Sequence, residues 1–311
     1  MNDLINSVWF LADKFRTDSS LLSLNFEKIN VVAKAIDNQL SNNIDHMNQK
    51  DSTLWNLPKC IKSTDPDKLE KIFLYELIAN SVNYCYWYGW HDIRPGGANS
   101  GKMYDLLDES FDELEKRKKI NVFHPHHELE IIIANFIDRL SRARFPLIDH
   151  RIRHLKEIVN SNLLDVIELL VSKKDYNVDK WLDYIVTTFP GYSKDMFLKR
   201  AFLFIMQMYR RCGIFEKEID RIPVPADYQL PKILRWLGCI EYHYPLYFTV
   251  DWNLPIAEGC SSECEIRAAT IVACKRIADA AGCTCEQVDT YLWGKRNKCS
   301  DPFHLTITSN Y

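Results

Sequence analysis

Glycine is scarce in this chain, with 10 residues in 311. Neither G-x-G-x-x-G nor G-x-x-x-x-G-K-[ST] occurs, so the phosphate-cradling loops of dinucleotide-binding and P-loop folds are excluded. H-E-x-x-H and G-x-S-x-G are missing too, which removes the zinc-protease helix and the hydrolase nucleophile elbow. Positive charge is not in excess: 39 Lys and Arg stand against 42 Asp and Glu, a net charge of −3. Proteins that grip duplex nucleic acid carry a basic stripe. The longest basic run, Lys116-Arg117-Lys118-Lys119, follows an acidic stretch and reads as a solvated helix end, with cations near the negative end of the dipole. No duplex nucleic-acid partner is therefore expected. No uncharged apolar segment approaches a membrane span. The amino terminus has no basic region followed by an apolar run. A cytoplasmic protein with reduced thiols and no membrane partner is expected. Repeats, low-complexity runs and Pro/Gly/Ser linkers are also missing, so a single domain over 1–311 is expected, with residues 1–45 as an amino-terminal helical cap that could be loosely attached.

Cysteine is present in quantity, with ten residues. Cys260-x-x-x-Cys264 and Cys283-x-Cys285 invite a metal reading, but the spacing is not that of a zinc knuckle. Neither a metal site nor a disulfide framework is expected. The dominant period is helical. Phe26, Ile29, Ala33, Ile36 and Leu40 recur at three and four residues. Asp65-Pro66 caps a helix running from about Asp67 to Tyr84, apolar around much of its circumference and so buried. Further helices are expected over 129–140, 163–171, 193–211 with Gly213 as the stop, and 227–236 with a stop at Gly238. Ser262-x-x-Glu265 and Thr284-x-x-Gln287 read as capping boxes for two more, the first ending at Gly282 and the second at Trp293. Strand-like stretches are few: 239–242, 247–250 and 305–308. The predicted fold is all-α, one compact helical domain with minor β elements.

Two segments carry chemistry. Lys199 and Arg200 stand side by side in an otherwise apolar helix, and Lys is almost never fully buried without a partner. Either both point outward through a gap in the fold or one faces an anionic group in a pocket. Further on, Pro223-Val224-Pro225-Ala226-Asp227 fixes the chain and delivers Asp227 to a helix start. Asp227 is either a plain N-cap or a deliberately placed carboxylate.

These residues carry a resemblance. Gly213-Ile214-Phe215, then Ala226-Asp227-Tyr228-Gln229-Leu230-Pro231, then Gly238-Cys239-Ile240-Glu241-Tyr242 resemble the queuosine salvage protein family, whose pattern runs A-D-Y-R-x-P-Q-x-L with a later G-x-L-x-Y. In the same order, Asn83-Tyr84-Cys85-Tyr86-Trp87 is similar to its N-F-x-F-W, Lys199-Arg200-Ala201 to its K-R-A-Q, and Glu263-Cys264-Glu265-Ile266-Arg267 to its E-x-E-I-R. Weaker similarity covers Phe145–Arg151 and Tyr291-Leu292-Trp293. The resemblance implies an all-helical fold whose core is related to helix-hairpin-helix DNA glycosylases. It implies hydrolysis of queuosine 5′-phosphate to queuine and ribose 5-phosphate, with no metal or organic cofactor. It makes Asp227 the catalytic carboxylate and Lys199 the active-site amine. Tyr84, Tyr86, Trp87 and Tyr228 become an aromatic slot for the flat base, with Asn83 and Arg200 beside it as substrate contacts. If the helix runs on through 84, Tyr84 and Trp87 share a face one turn apart and Tyr86 points elsewhere.

The chain departs from the family pattern at Phe202, Gln229 and Lys232, where the pattern has Gln, Arg and Gln. Substrate preference is touched more than reaction type. An N-glycosidase for another nucleotide or nucleoside, and a non-catalytic deazapurine-binding protein, both remain open at the level of sequence. Glu265 and Arg267, on an apolar helix, are expected to form buried ion pairs that fix helix register.

Overall fold

The computed structural model describes residues 3–42, 56–61, 67–88, 97–118 and 124–311. Asp65 and Pro66, the expected helix cap, lie outside them. The described chain is a helical assembly with one small sheet. Its order is α1 (Leu4–Thr17), β1 (Leu22–Leu24), α2 (Phe26–Ser41), α3 (Lys68–Ser81), α4 (Ser100–Lys118), α5 (Pro125–Arg142), α6 (Ile148–Val159), α7 (Leu163–Ser172) and α8 (Val178–Thr188). There follow α9 (Pro190–Ser193), α10 (Lys199–Cys212), α11 (Gln229–Trp236), β2 (Ile240–Tyr242), α12 (Leu246–Asp251), α13 (Ser261–Ala281) and α14 (Cys285–Trp293).

The centre is α13, 21 residues long and buried from Glu263 through Cys274 without a break. A helix apolar all round has no solvent face to offer, and here α1, α2, α11 and α14 cover it. The amino-terminal segment is thus attached closely rather than loosely: α1 and α2 both lie along α13, and β1 pairs antiparallel with β2, Ser23 opposite Glu241. A second layer sets α3 against α10, α6 and α7. No helix among the described residues is long and apolar enough to cross a membrane.

The Thr284–Gln287 capping box forms, but the one expected at Ser262 does not. The N-cap there is Cys260, with no side-chain bond. Glu265 is drawn away by Ser19 and Ser261, so it is not paired with Arg267, whose carboxylate partners are Glu263 and Asp195. Of the expected strands only the first survives. Residues 247–250 belong to α12, and Leu305 makes a lone bridge with Pro255. The helix expected from Ser193 begins six residues later. Asp195 accepts from Phe197 N at 3.1 Å and Lys199 N at 2.8 Å, while Leu198 sits in the left-handed region at φ 49°. Lys199 therefore opens α10 instead of interrupting it. All ten cysteines are free thiols.

α3 stops at Ser81 because the chain turns sharply there, and residues 83–87 are irregular yet buried. Buried backbone carbonyls need partners, and Arg151 supplies three at once. It donates to Val82 O, to Tyr84 O at 2.7 Å and to Cys85 O at 2.6 Å, with its Nε on Pro146 O at 2.8 Å. Arg151→Lys keeps the charge but not the planar fork. With at least two carbonyls left unmet, a loss of about 3 kcal/mol is expected. Urea unfolding checks this, and a midpoint within error of the parent protein would refute it.

Candidate active site

One face of α10 and one face of α14 form two walls of a cleft. Lys199, Leu203, Gln207 and Arg210 recur at four, four and three residues along α10, so they share a stripe. Asp289 and Trp293, four apart on α14, stand opposite. The irregular segment adds Asn83, Tyr84 and Tyr86, and the turn before α11 adds Asp227 and Tyr228. The room left in it for a water-sized sphere is about 60 Å³, so the cleft is narrow.

Asp227 is held at both oxygens. Its Oδ1 accepts from Gln229 N at 2.7 Å, and its Oδ2 lies 3.6 Å from Lys199 Nζ. It therefore lies one residue before the N-cap of α11, satisfies that helix's first backbone N–H, and also faces a cation. Lys199 Nζ in turn donates to Asn83 O at 3.2 Å. Burial pulls the Lys199 ammonium below its ordinary value, and Asp227 opposes that fall. Both side chains are largely covered, at 4% and 13% exposure for Lys199 and Asp227.

The two elements that bear these groups are tied together by one residue of α13. Arg267 donates from Nη2 to Asp195 Oδ2 at 2.8 Å, and from Nε to Ala226 O at 2.9 Å. The first bond fixes the turn that opens α10; the second fixes the peptide preceding Asp227. Burial alone would raise the Asp195 carboxyl, but Arg267 and the two backbone donors outweigh it and hold it below the usual range.

Asn83, Tyr84, Tyr86, Lys199, Asp227 and Tyr228 all line this cleft. Trp87 does not. It lines an adjoining cavity, set edge-on to Tyr228 at 4.8 Å and against Phe303 at 5.0 Å. The helical argument for Tyr84 and Trp87 fails because no helix covers them. Instead Tyr84 and Tyr86 share the cleft, and the Tyr86 hydroxyl donates to Asn83 Oδ1 at 2.7 Å. Arg200 lies away from the cleft. It is 1% exposed, and its guanidinium donates to Ser81 O, Gly191 O and, at 3.2 Å, Asn310 O.

Sequence reasoning did not single out Gln207, Arg210 or Asp289. The clue was present for two of them, since the spacing from Lys199 to Gln207 and Arg210 is helical once the helix start is right. Arg210 binds Glu286 Oε1 at 2.6 Å and Asp289 Oδ2 at 2.8 Å. Burial raises the Asp289 carboxyl against the pull of Arg210, and Glu286 and Asp227 add to the rise. Asp289 Oδ1 has no partner among the described residues. Among them, no group of three His, Cys, Asp or Glu side chains is placed to hold a metal ion.

A profile described as "Queuosine salvage protein" matches residues 62–311. Relatives named queuosine 5′-phosphate N-glycosylase/hydrolase are similar to the chain. One from Dictyostelium discoideum is 24% identical over 270 residues, covering 76% of this chain and 77% of its own. Another from Sphaerobacter thermophilus is 23% identical over 279 residues, covering 79% and 83%. A third, from Bos taurus, is 29% identical over a shorter 150 residues, 43% of this chain and 44% of its own.

Behind the cleft, His154 packs edge-on to Tyr84 at 5.5 Å, and burial pushes its imidazole down to about 3. Burial does the same to His304, also to about 3. Both are neutral when folded and regain an ordinary value near 6.5 on unfolding. Between those limits the unfolded chain binds more protons, so stability falls as pH drops below 6.5. Each His contributes up to about 1.4 kcal/mol per pH unit. The urea midpoint should decline across this window, and the decline should be shallower in His304→Phe. An equal slope in the variant would count against it.

Proposed function

Because this chain belongs to the queuosine salvage protein family, we propose that it is an N-glycosidase that hydrolyses queuosine 5′-phosphate to queuine and ribose 5-phosphate. The observation that carries the reading is Asp227, a carboxylate with one oxygen fixed by a backbone N–H and the other facing a buried ammonium, inside a narrow aromatic cleft.

Breaking the bond from the anomeric carbon to the base nitrogen sends the electron pair to the base and leaves positive charge on the sugar ring. Asp227 stabilises that charge and takes a proton from the water whose oxygen bonds to the anomeric carbon, and a proton returns through solvent to the departing base nitrogen, which restores the carboxylate and leaves neutral queuine. Its two fixed contacts mean that little reorganisation is needed as the charge develops. The departing base carries carbon in place of the purine N7, so the usual site of protonation is missing. Hydrogen bonds and stacking must hold it instead. Asp289 Oδ1 is suited to accept from the ring N–H and exocyclic amine of a 7-deazaguanine, with Arg210 balancing the charge behind it. Tyr84, Tyr86 and Tyr228 supply flat surfaces for the ring.

Lys199 acts through charge and position. Simple hydrolysis needs no amine adduct, and its Nζ already serves Asn83 O and Asp227. Reduction with borohydride during turnover should trap no covalent adduct.

Asp227→Asn keeps size and hydrogen bonding but removes the charge that matters most at the transition state. Single-turnover rates should fall about a hundred- to a thousandfold, while the dissociation constant for queuosine 5′-phosphate changes by only a few-fold. Lys199→Ala should weaken both rate and binding, because it removes a charge present in the ground state. Release of queuine, followed by mass spectrometry, is the direct test. Near-normal hydrolysis by Asp227→Asn would refute the assignment.

A further inference from the structure

A second cavity of about 380 Å³ adjoins the cleft, and Tyr86, Ser100, Tyr228 and Trp293 are walls of both. The first is a poor place for a phosphate dianion. Its cations are already taken: Lys199 by Asp227, and Arg210 by Glu286 and Asp289. A phosphate there would meet the carboxylates of Asp227 and Asp289.

The second cavity has the opposite character. Lys232 and Arg296 line it, and no carboxylate among the described residues does. Neither cation has an ion-pair partner among those residues. Arg296 donates from Nη1 to Trp293 O at 2.9 Å and lies over the Trp293 ring at 4.8 Å. Burial lowers its guanidinium, with no acidic neighbour offsetting the cost. Asn99 and Ser100, at the amino-terminal end of α4, complete the wall, and that end of a helix adds partial positive charge.

We propose that this second cavity is the phosphate subsite, in which Lys232 and Arg296 grip the 5′-phosphate of a nucleotide whose base occupies the Asp227 cleft. The assignment rests on the functional reading above and adds the residues that select phosphate. Gln229 and Lys232 are three apart on α11 and both line the second cavity. An arginine at position 229 would therefore present a cation to the same cavity about one helical turn away.

Binding in the non-hydrolysing Asp227→Asn protein tests this, with dissociation constants for queuosine 5′-phosphate and for queuosine measured by calorimetry. The nucleotide should bind more tightly than the nucleoside. Lys232→Gln and Arg296→Gln should each cut that advantage by about tenfold, the worth of one charge-assisted hydrogen bond. Adding Gln229→Arg to Lys232→Gln should restore most of it, which a merely structural role for Lys232 would not allow. An unchanged ratio, equal weakening of both ligands, or failure of the rescue would overturn the subsite while leaving the functional reading intact. If neither ligand bound, the functional reading would fall and the subsite with it.

Discussion

Five consecutive backbone carbonyls, from Ser81 to Cys85, each receive a hydrogen bond from a buried cation, and the site depends on that arrangement. Arg200 serves Ser81, Arg151 serves Val82, Tyr84 and Cys85, and Lys199 serves Asn83. Irregular backbone is usually found at the surface, because a buried loop strands its polar groups. Here a helix must stop in the core so that Asn83, Tyr84 and Tyr86 can face the cleft. Three long cationic side chains take the place of water and of the missing helical bonds. Tyr84 gains from the same groups, with Arg151 at 4.4 Å and Arg200 at 5.1 Å from its ring centroid. The cations are therefore structural first, and Lys199 is the one that also lines the cleft.

A second coupling works across the cleft. Arg267, Asp195 and Glu263 are all buried, and Arg267 lies over the Tyr311 ring at 4.1 Å. Desolvating such groups consumes much of their mutual attraction, so a buried ion pair is weak evidence for stability. Its value here is positional. One guanidinium bonds both the residue that starts α10 and the carbonyl preceding Asp227. A shift in either element is transmitted to the other through hydrogen bonds with little slack, which keeps the ammonium of Lys199 and the carboxylate of Asp227 in register.

Much of the helical framework was legible from period and punctuation. The Thr284–Gln287 box forms, Gly213 and Gly282 close α10 and α13 in the left-handed conformation, and the α2 stripe Ile29, Ala33, Ile36 is buried. Local rules failed where a distant partner outcompeted them. Ser262 lost its box because Glu265 turns to Ser19 on another segment. The start of α10 was misplaced because Asp195 is anchored by Arg267, 72 residues away. The helix expected to run to Tyr84 stops at Ser81, since nothing local announces that five carbonyls will be met by side chains from α6 and α10. For the site, sequence resemblance supplied Asp227 and Lys199. It also placed Arg200 beside the base as a substrate contact, whereas that side chain turns the other way and binds backbone. Asp289 had no signature, since a lone Asp on an amphipathic helix is ordinarily a solvated one.

The substrate sets a problem of charge placement that the two cavities answer together. A carboxylate must sit beside the sugar ring to stabilise a developing cation, yet the same sugar bears a dianion a few bonds away. Carboxylate and phosphate in one undivided pocket would repel each other, and substrate binding would weaken as the site became better suited to catalysis. Keeping the cations of the cleft paired, and leaving those of the adjoining cavity unpaired, separates the two demands. The shared wall of Tyr86, Tyr228 and Trp293 then lies between the acidic and the basic chamber, with low-polarity rings where the field between opposite charges is steepest. Binding energy gathered at the phosphate can thus hold the sugar against Asp227 without drawing Lys199 away from that carboxylate, which is how remote contacts on a substrate come to assist the reacting bond.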